Sequence, residues 1–578
     1  MERKCFAVGI ILLFVGTCII PAIAQDTEKS QTASRGNWLY VGGSGPGNYT
    51  RIQDAVDNAS SGDTVFVYND HSPYKENIVI NVSIRLMGEN PSSTIVDGMR
   101  KDYVFRLLRD NIEITGFTIQ NATVSGMKSS GINVESCYNI ITNNIITNNN
   151  VGMWMFQTNN HYNVISNNII KGSRYEGLYL YDSHSNIISN NTIIENGGCG
   201  VFLFGTVDYN LIADNNISKN DDEGIFSTGA KHDTIIRNIF IGNRLNGFLG
   251  IGTDDVNFSD NYFKDNAAGM EFYSSINRNI IRNNVFINDG YLGLVHNNIF
   301  SNNTVNGNPL LVLTNQHNRI IEGDYGQVLV DNCSNLTLQY LDISYTSSAI
   351  ILDESENCCI QHTVLTSNDA GVDISKTCKN NIVKTNHISQ NTHGVALSGI
   401  STLVLSNNIT NNTYGIFQQF FGSNTNISHN FLSGNEYGIY MYNAFNCIFR
   451  NNKITSNDEG IHLSEIYNFS VVGNEISDNI KGISISNKYK DISSKIIRNN
   501  FLKNQRQVKF LNTWPAFCPG KWDSNFWDNK HDSGPKLLVG YFAYFVSIYY
   551  NWEYILVIPW IEVDWHPAQI PYDPPGGR

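Results

Sequence analysis

Apolar residues along this chain come in short bursts. From about residue 65 to residue 510, runs of three to five Ile, Val, Leu, Met or Phe alternate with polar residues and stop at Asn or Gly. A Gly opening such a run recurs at Gly131, Gly152, Gly177, Gly200, Gly224, Gly247, Gly269 and Gly293. It returns at Gly371, Gly394, Gly415, Gly438, Gly460 and Gly482. Between these lies a second phrase, of the type Asn-Ile-Ile-x-Asn-Asn-x-Ile, at 139–146, 163–170 and 186–193. Self-similarity at this period marks a solenoid. Leucine-rich repeats share the period but need a helical half-repeat; these bursts are short, alternating and rich in Ile and Val, which makes them strands. Three strands and three turns per repeat make one coil of a parallel β-helix. Inward positions fill a narrow core, and Asn residues at the turns can bond the same residue one coil away. The predicted fold is all-β, a parallel β-helix over residues 65–510.

Both ends of a solenoid need covering. Within residues 25–64, Thr50 and Gln53 have capping-box spacing. Ile52, Ala55, Val56 and Ala59 then follow at helical spacing, which predicts a short capping helix. Residues 511–578 carry Trp514, Trp522, Trp527, Trp552, Trp560 and Trp565 and read as an aromatic C-terminal cap. Residues 537–558 are apolar enough to raise a membrane anchor, but Asn551 and Glu553 within them argue for the cap. Between Leu294 and Ala349 the period is irregular, and Asn306-Gly307-Asn308-Pro309 reads as a longer loop leaving the rod. Residues 1–24 have the form of a signal peptide: Arg3 and Lys4, an apolar run, then Ala22-Ile23-Ala24. The expected location is extracellular or at the cell surface.

Composition narrows the function. The chain of 578 residues holds 80 Asn and 47 Gly, and its net charge is −13. With no basic run it has no electrostatic footprint for nucleic acid. No Cys-x-x-Cys pair is present, so no structural zinc site is expected, and no cofactor is predicted.

Several phrases resemble a known family. Tyr74-Lys75-Glu76-Asn77-Ile78-Val79-Ile80 with Leu86-Met87-Gly88-Glu89 is similar to the opening coils of NosD-type right-handed parallel β-helix proteins. Asn306-Gly307-Asn308-Pro309 with Gly326-Gln327-Val328-Leu329-Val330 resembles their middle. Ile558-Pro559-Trp560 with Asp564-Trp565-His566-Pro567-Ala568 resembles the tails of archaeal surface proteins of this type. The resemblance implies a right-handed helix. It leaves activity open, because such coils serve carbohydrate-binding, carbohydrate-cleaving and metal-delivery proteins. The family's name comes from proteins that assist copper-enzyme maturation, and no Met/His-rich tract here carries that role over.

Three constellations could carry chemistry. His161, His184, Asp208, His232 and Asp255 form a column two residues before the Asn-Ile-Ile phrase, which stacking would bring within reach of a shared metal. Asn, Asp and His also tolerate left-handed turns, which is the structural reading of the same column. An acidic set, Glu176, Asp221, Asp222, Glu223 and Glu271 with Arg174 and Arg244, offers paired carboxylates for a glycosidase or lyase. No catalytic set of the polygalacturonase or pectate lyase type accompanies it. Third, alternation turns positions +2 and +4 after each Gly outward. These are Trp154 and Phe156, Tyr179 and Tyr181, Phe202 and Phe204, then Phe226, with Tyr273 further along. A stripe of exposed aromatics marks a binding surface, with Glu176, Asp182 and Glu271 at its edge to bond hydroxyls. The leading expectation is a β-helix that binds glycans or a surface-layer component without turnover. Alternatives are a polysaccharide lyase or glycoside hydrolase on the same face, and a NosD-like copper-delivery scaffold.

Overall fold

The computed structural model describes residues 36–573 except 124–128, 157–159, 274–276, 294, 420–421, 488–492, 513–520, 531 and 549–550. The proposed signal peptide, Trp514 and Cys518 fall outside the described residues. The chain is an all-β parallel solenoid. One coil runs through Ile140–Thr142, Ile145–Thr147 and Val151–Phe156, each strand pairing in parallel with its counterpart one coil on. Alternation holds along these strands. Ile132, Val134, Leu178, Leu180, Val201, Leu203, Ile439 and Met441 point inward and are fully buried, as the pattern predicts.

The turns are fixed by side-chain amides. Asn144 donates its backbone N–H and its Nδ2 to Oδ1 of Asn168, at 3.0 and 3.1 Å. Asn168 does the same to Asn191, and Asn191 to Asn215. Each rung satisfies buried donors that a strand-turn-strand corner would otherwise leave orphaned. Ladders end on an aspartate at Asp289 and at Asp564. Asn266 donates to both carboxylate oxygens of Asp289, at 2.9 and 2.8 Å. Burial lifts the Asp289 carboxyl to about 7, well above its ordinary value. A raised folded-state pKa gives stability that is complete below about pH 4 and lost as pH rises through about 7. Asp289→Asn removes that loss, and its Nδ2 meets the Phe263 carbonyl by the pattern of the preceding rungs. Urea melts of this variant should match the parent near pH 4 and exceed it by about 1–2 kcal/mol above pH 7.

The solenoid is built as two rods with separate cores. The first core runs from Val41 to Val305, with Leu329 added; the second gathers Leu313, Val328 and Val330 and continues to Leu538. The segment expected to loop out of the rod is the joint between them. Thr304–Val305 and Asn308–Thr314 form an antiparallel hairpin that hands one sheet of the first rod to the second. Asn306 and Gly307 take φ 51° and 85° in its turn, the left-handed pair that an Asn-Gly hairpin turn requires. Strand Gln327–Asp331 is buried at every residue. Its Val328 and Val330 face the second core and its Leu329 the first. The Gln327 side chain accepts from Tyr291 N–H (2.9 Å) and donates to the carbonyls of Tyr291 (2.7 Å) and Ser348 (2.8 Å). It thereby stands in for the next coil over Tyr291. The repeat Gly of that coil is Gly290, which accepts from Gly269 N–H, and not Gly293.

Helix α1 (Ile52–Asp57) covers the first coil with Ile52, Ala55 and Val56 buried. The expected capping box does not form: the N-cap is Arg51 and makes no side-chain cap bond. The Glu76 carboxylate instead accepts the N–H groups of Ile52 (2.9 Å) and Gln53 (3.0 Å). A carboxylate from the second coil thus fixes the helix to the rod. At the other end, coil geometry continues past residue 510. Trp522 and Trp527 take inward positions against Ile496 and Phe501. Residues 537–558 lie in an antiparallel hairpin of Lys536–Ile548 with Asn551–Asp564, whose first strand pairs with Leu511 and Asn512. Among the described residues, no helix is long and apolar enough to cross a membrane.

Candidate functional site

The aromatic stripe is a stacked ladder. Trp154, Tyr179, Phe202 and Phe226 stand in register on successive strands, as do Phe156, Tyr181 and Phe204. Ring centroids lie 4.3 Å apart for Trp154 and Tyr179, 5.0 Å for Tyr179 and Phe202, and 5.1 Å for Phe202 and Phe226. In the parallel column the spacings are 4.4 Å and 5.6 Å. The rings are not equally open. Phe204 is 40% exposed and the other rings of the ladder half-buried, but Trp154 is only 6% exposed. Trp154 is a correction to the expected contact surface: it is outward by alternation but covered, and it serves as the base of the stack.

The ladder leads somewhere. Its inner column continues in register from Phe226 through Leu249 to Glu271, and its outer column through Thr228 and Ile251 to Tyr273. Glu271 and Tyr273 line a cavity of ≈ 490 Å³ in the corner between the rods, with His296 on the same side. Asp353, Asp373 and Lys376 line it from the second rod. That rod carries its own outward column, Asp373, Ala396, Phe417, Tyr440 and His462 in register. Tyr440 lies 5.6 Å from Phe417 and 4.7 Å from His462, stacked on both. This second column obeys the same Gly +2 rule as the first, counted from Gly371, Gly394, Gly415, Gly438 and Gly460.

The corner is acidic and partly dry. Burial pushes the Asp331 carboxyl up to about 6, opposed by His296 and reinforced by Asp353 and Glu354. Asp373 also rises to about 6, through burial and then Asp369 and Asp353. Both groups therefore change protonation state just below neutral pH. Asp353 is held by Thr377 Oγ1 (2.7 Å) and by Ser375. Glu271 accepts Asn246 Nδ2 at 2.7 Å. Its hydrogen bond with Tyr273 is the main reason that the phenol is pushed up to about 12.

The remaining candidates are turn structure. Asp182 takes φ 45° and accepts Thr206 N–H at 2.8 Å, so it clasps the next coil. Glu176 sits at the foot of the ladder, its pKa raised by burial and by Asp222. Arg244 donates to the backbone carbonyl of Asp221 and to the Asp222 carboxylate, Arg174 lies over Tyr175, and Glu223 is buried and accepts Cys199 Sγ–H. The metal column mixes two turn positions. Asp208 stacks on Lys231 and Asp254, whereas His232 and Asp255 sit one residue later. His161 and His184 stack ring on ring at 3.5 Å, and His184 N–H donates to His161 Nδ1. Asp255 is gripped by Arg278 through both oxygens, which holds its carboxyl below the usual range. Among the described residues, the group of His, Cys, Asp and Glu that does converge is His296, Asp331 and Glu354, with ligand atoms within 4.8 Å of one another. No sequence phrase joins these three; the joint between the rods brings His296 to Asp331 and Glu354.

Family comparison follows the fold. A model described as periplasmic copper-binding protein (NosD) matches residues 56–250 and 407–538, more than half of the chain. One described as right handed beta helix region matches residues 326–463. No curated protein sequence matches. Among solved structures, the catalytic domain of Agl-KA is 12% identical with a TM-score of 0.33, over 65% of this chain and 64% of that one. DFA-IIIase from Arthrobacter chlorophenolicus A6 in complex with GF2 is 13% identical with a TM-score of 0.32, over 65% and 94%. Pectate lyase Pel9A is 17% identical with a TM-score of 0.31, over 47% and 80%. At such identities and TM-scores the likeness is one of coil architecture alone.

Proposed function

Because the chain belongs to the NosD family of right-handed parallel β-helices, a scaffold that fixes no single activity, we propose that it is an exported glycan-binding protein without turnover. The glycan lies along the ladder of the first rod, with one end in the corner. One observation carries this reading: the aromatic columns run in unbroken register into Glu271 and Tyr273 at the cavity wall. Flat rings suit the C–H faces of sugars, and carboxylates at the end of the track suit their hydroxyls. With Glu271, Asp353 and Asp373 in the corner and a net charge of −13, the fitting substrate class is a neutral glycan; a polyuronate would meet like charge.

Copper delivery, which the family's description suggests, suits the geometry less well. Soft Cu(I) selects thiolate and thioether ligands. Here Cys199, Cys358, Cys378 and Cys447 are buried, and burial pushes their thiol pKa values up.

Glycan arrays with the purified chain test the proposal. Binding to neutral oligosaccharides is expected, and Tyr181→Ala with Phe204→Ala should weaken it at least tenfold (about 1.4 kcal/mol) with the melting temperature nearly unchanged. Binding confined to polyuronates, or release of reducing ends or unsaturated uronates, would replace this reading with the lyase or hydrolase one.

A further inference from the structure

Asp331 is 1% exposed, yet its Oδ1 has no hydrogen-bond partner, and neither has the buried His296 Nδ1. The two atoms face each other at 3.7 Å. That is too long for a hydrogen bond. Two such pairs elsewhere close fully, His462 Nδ1 to Glu459 and His566 Nδ1 to Asp523 at 2.8 Å; the two that stand open, His71–Asp70 at 3.6 Å and His232–Asp255 at 3.9 Å, have carboxylates that reach solvent, which Asp331 does not. Leaving a buried carboxylate oxygen unbonded costs free energy, so the held-open pair calls for a third body. Ligands of a tetrahedral Zn²⁺ at about 2.0–2.2 Å from the metal stand about 3.4 Å apart, close to the spacing observed.

Glu354 supplies the next donor. It follows strand Ser348–Asp353, which pairs with the Asp331 strand so that Asp331 and Asp353 are in register. Its carboxylate is exposed, and its ligand oxygen lies within 4.8 Å of those of His296 and Asp331. Asp331 shares the face of Leu329, which packs on the first core, so its carboxylate is directed at the first rod and His296.

We propose that His296, Asp331 and Glu354 form a divalent-cation site of the Zn²⁺ type that ties the two rods together at the corner. One imidazole nitrogen with two carboxylates suits a borderline first-row ion. All-oxygen shells are the choice of Ca²⁺, and sulfur ligands that of Cu(I). A water in the fourth position would face the cavity. The site stands whether or not a glycan binds, and its test uses none.

The chain, free of any tag and stripped with chelator, is titrated with ZnCl₂ by calorimetry and in parallel thermal melts. One equivalent should bind, and saturating Zn²⁺ should raise the melting temperature, since the ion binds only the folded joint. Ca²⁺ at the same concentration should do neither. His296→Ala and Asp331→Asn should each weaken binding at least 100-fold, whereas His161→Ala with His184→Ala should leave it intact. Circular dichroism of the apo variants reports folding. If Asp331→Asn misfolds, the exposed Glu354→Gln takes its place with at least a tenfold loss expected. Absence of a stoichiometric site, or one that survives these changes, or one that follows His161 and His184, overturns the proposal.

Discussion

Leu180→Asp abolishes cooperative folding of the first rod. Leu180 is completely buried, in register with Met155 on one side and Leu203 on the other, both also buried. A carboxylate there has no donor within the core and no route to water. It must be buried charged or take a proton, and either state costs several kcal/mol. The coils on both sides lose their packing partner together, so the expected loss is at least about 4 kcal/mol, a large share of a domain's stability. Thermal melts by circular dichroism should show a lost or strongly lowered transition. Leu180→Met, which keeps volume and polarity, should cost less than about 1.5 kcal/mol.

Truncation after Asp528 makes the chain aggregate. The removed hairpin contributes Asp564, fully buried, whose Oδ2 accepts from Asn525 N–H, Asn525 Nδ2 and Trp527 Nε1, each at 3.1 Å. The Asn ladder Asn452, Asn474, Asn499, Asn525 ends on this carboxylate. Without it three buried donors are orphaned, and Trp522 also loses its bond to Glu562. The strand Arg506–Asn512 loses its pairing with the hairpin, and an open edge recruits other chains. Light scattering should report assemblies that grow with concentration. A monomeric truncation with unchanged melting would show that the hairpin is an appendage.

The interior of this molecule was legible because period-two alternation and the repeating Asn each have one physical meaning. Leu178 and Leu180, and the ladder Asn144, Asn168, Asn191, follow from them directly. The joint was less legible, although its signals were present. Asn306-Gly307 is a hairpin turn, and Val328-Leu329-Val330 is apolar without a break because both faces of its strand are covered. Trp154 shows the limit of alternation, which gives direction but not what lies above the ring. The metal column is not one line: His232 and Asp255 stand one residue before the Asn-Ile-Ile phrase, at the left-handed position that Tyr162, Ser185 and Tyr209 take on other coils, whereas His161, His184 and Asp208 stand two before it. Glu271 and His296 of the first rod meet Asp331, Asp353 and Asp373 of the second only where the rods join, a long-range relation that no local spacing encodes.

A crystal structure of the chain with a neutral oligosaccharide selected on the array tests the proposed function most directly. Sugar rings are expected against Tyr181 and Phe204, with the terminal hydroxyls at Glu271, Asp353 or Asp373. A glycan bound on another face of the rods, with this ladder and corner empty, would contradict the account.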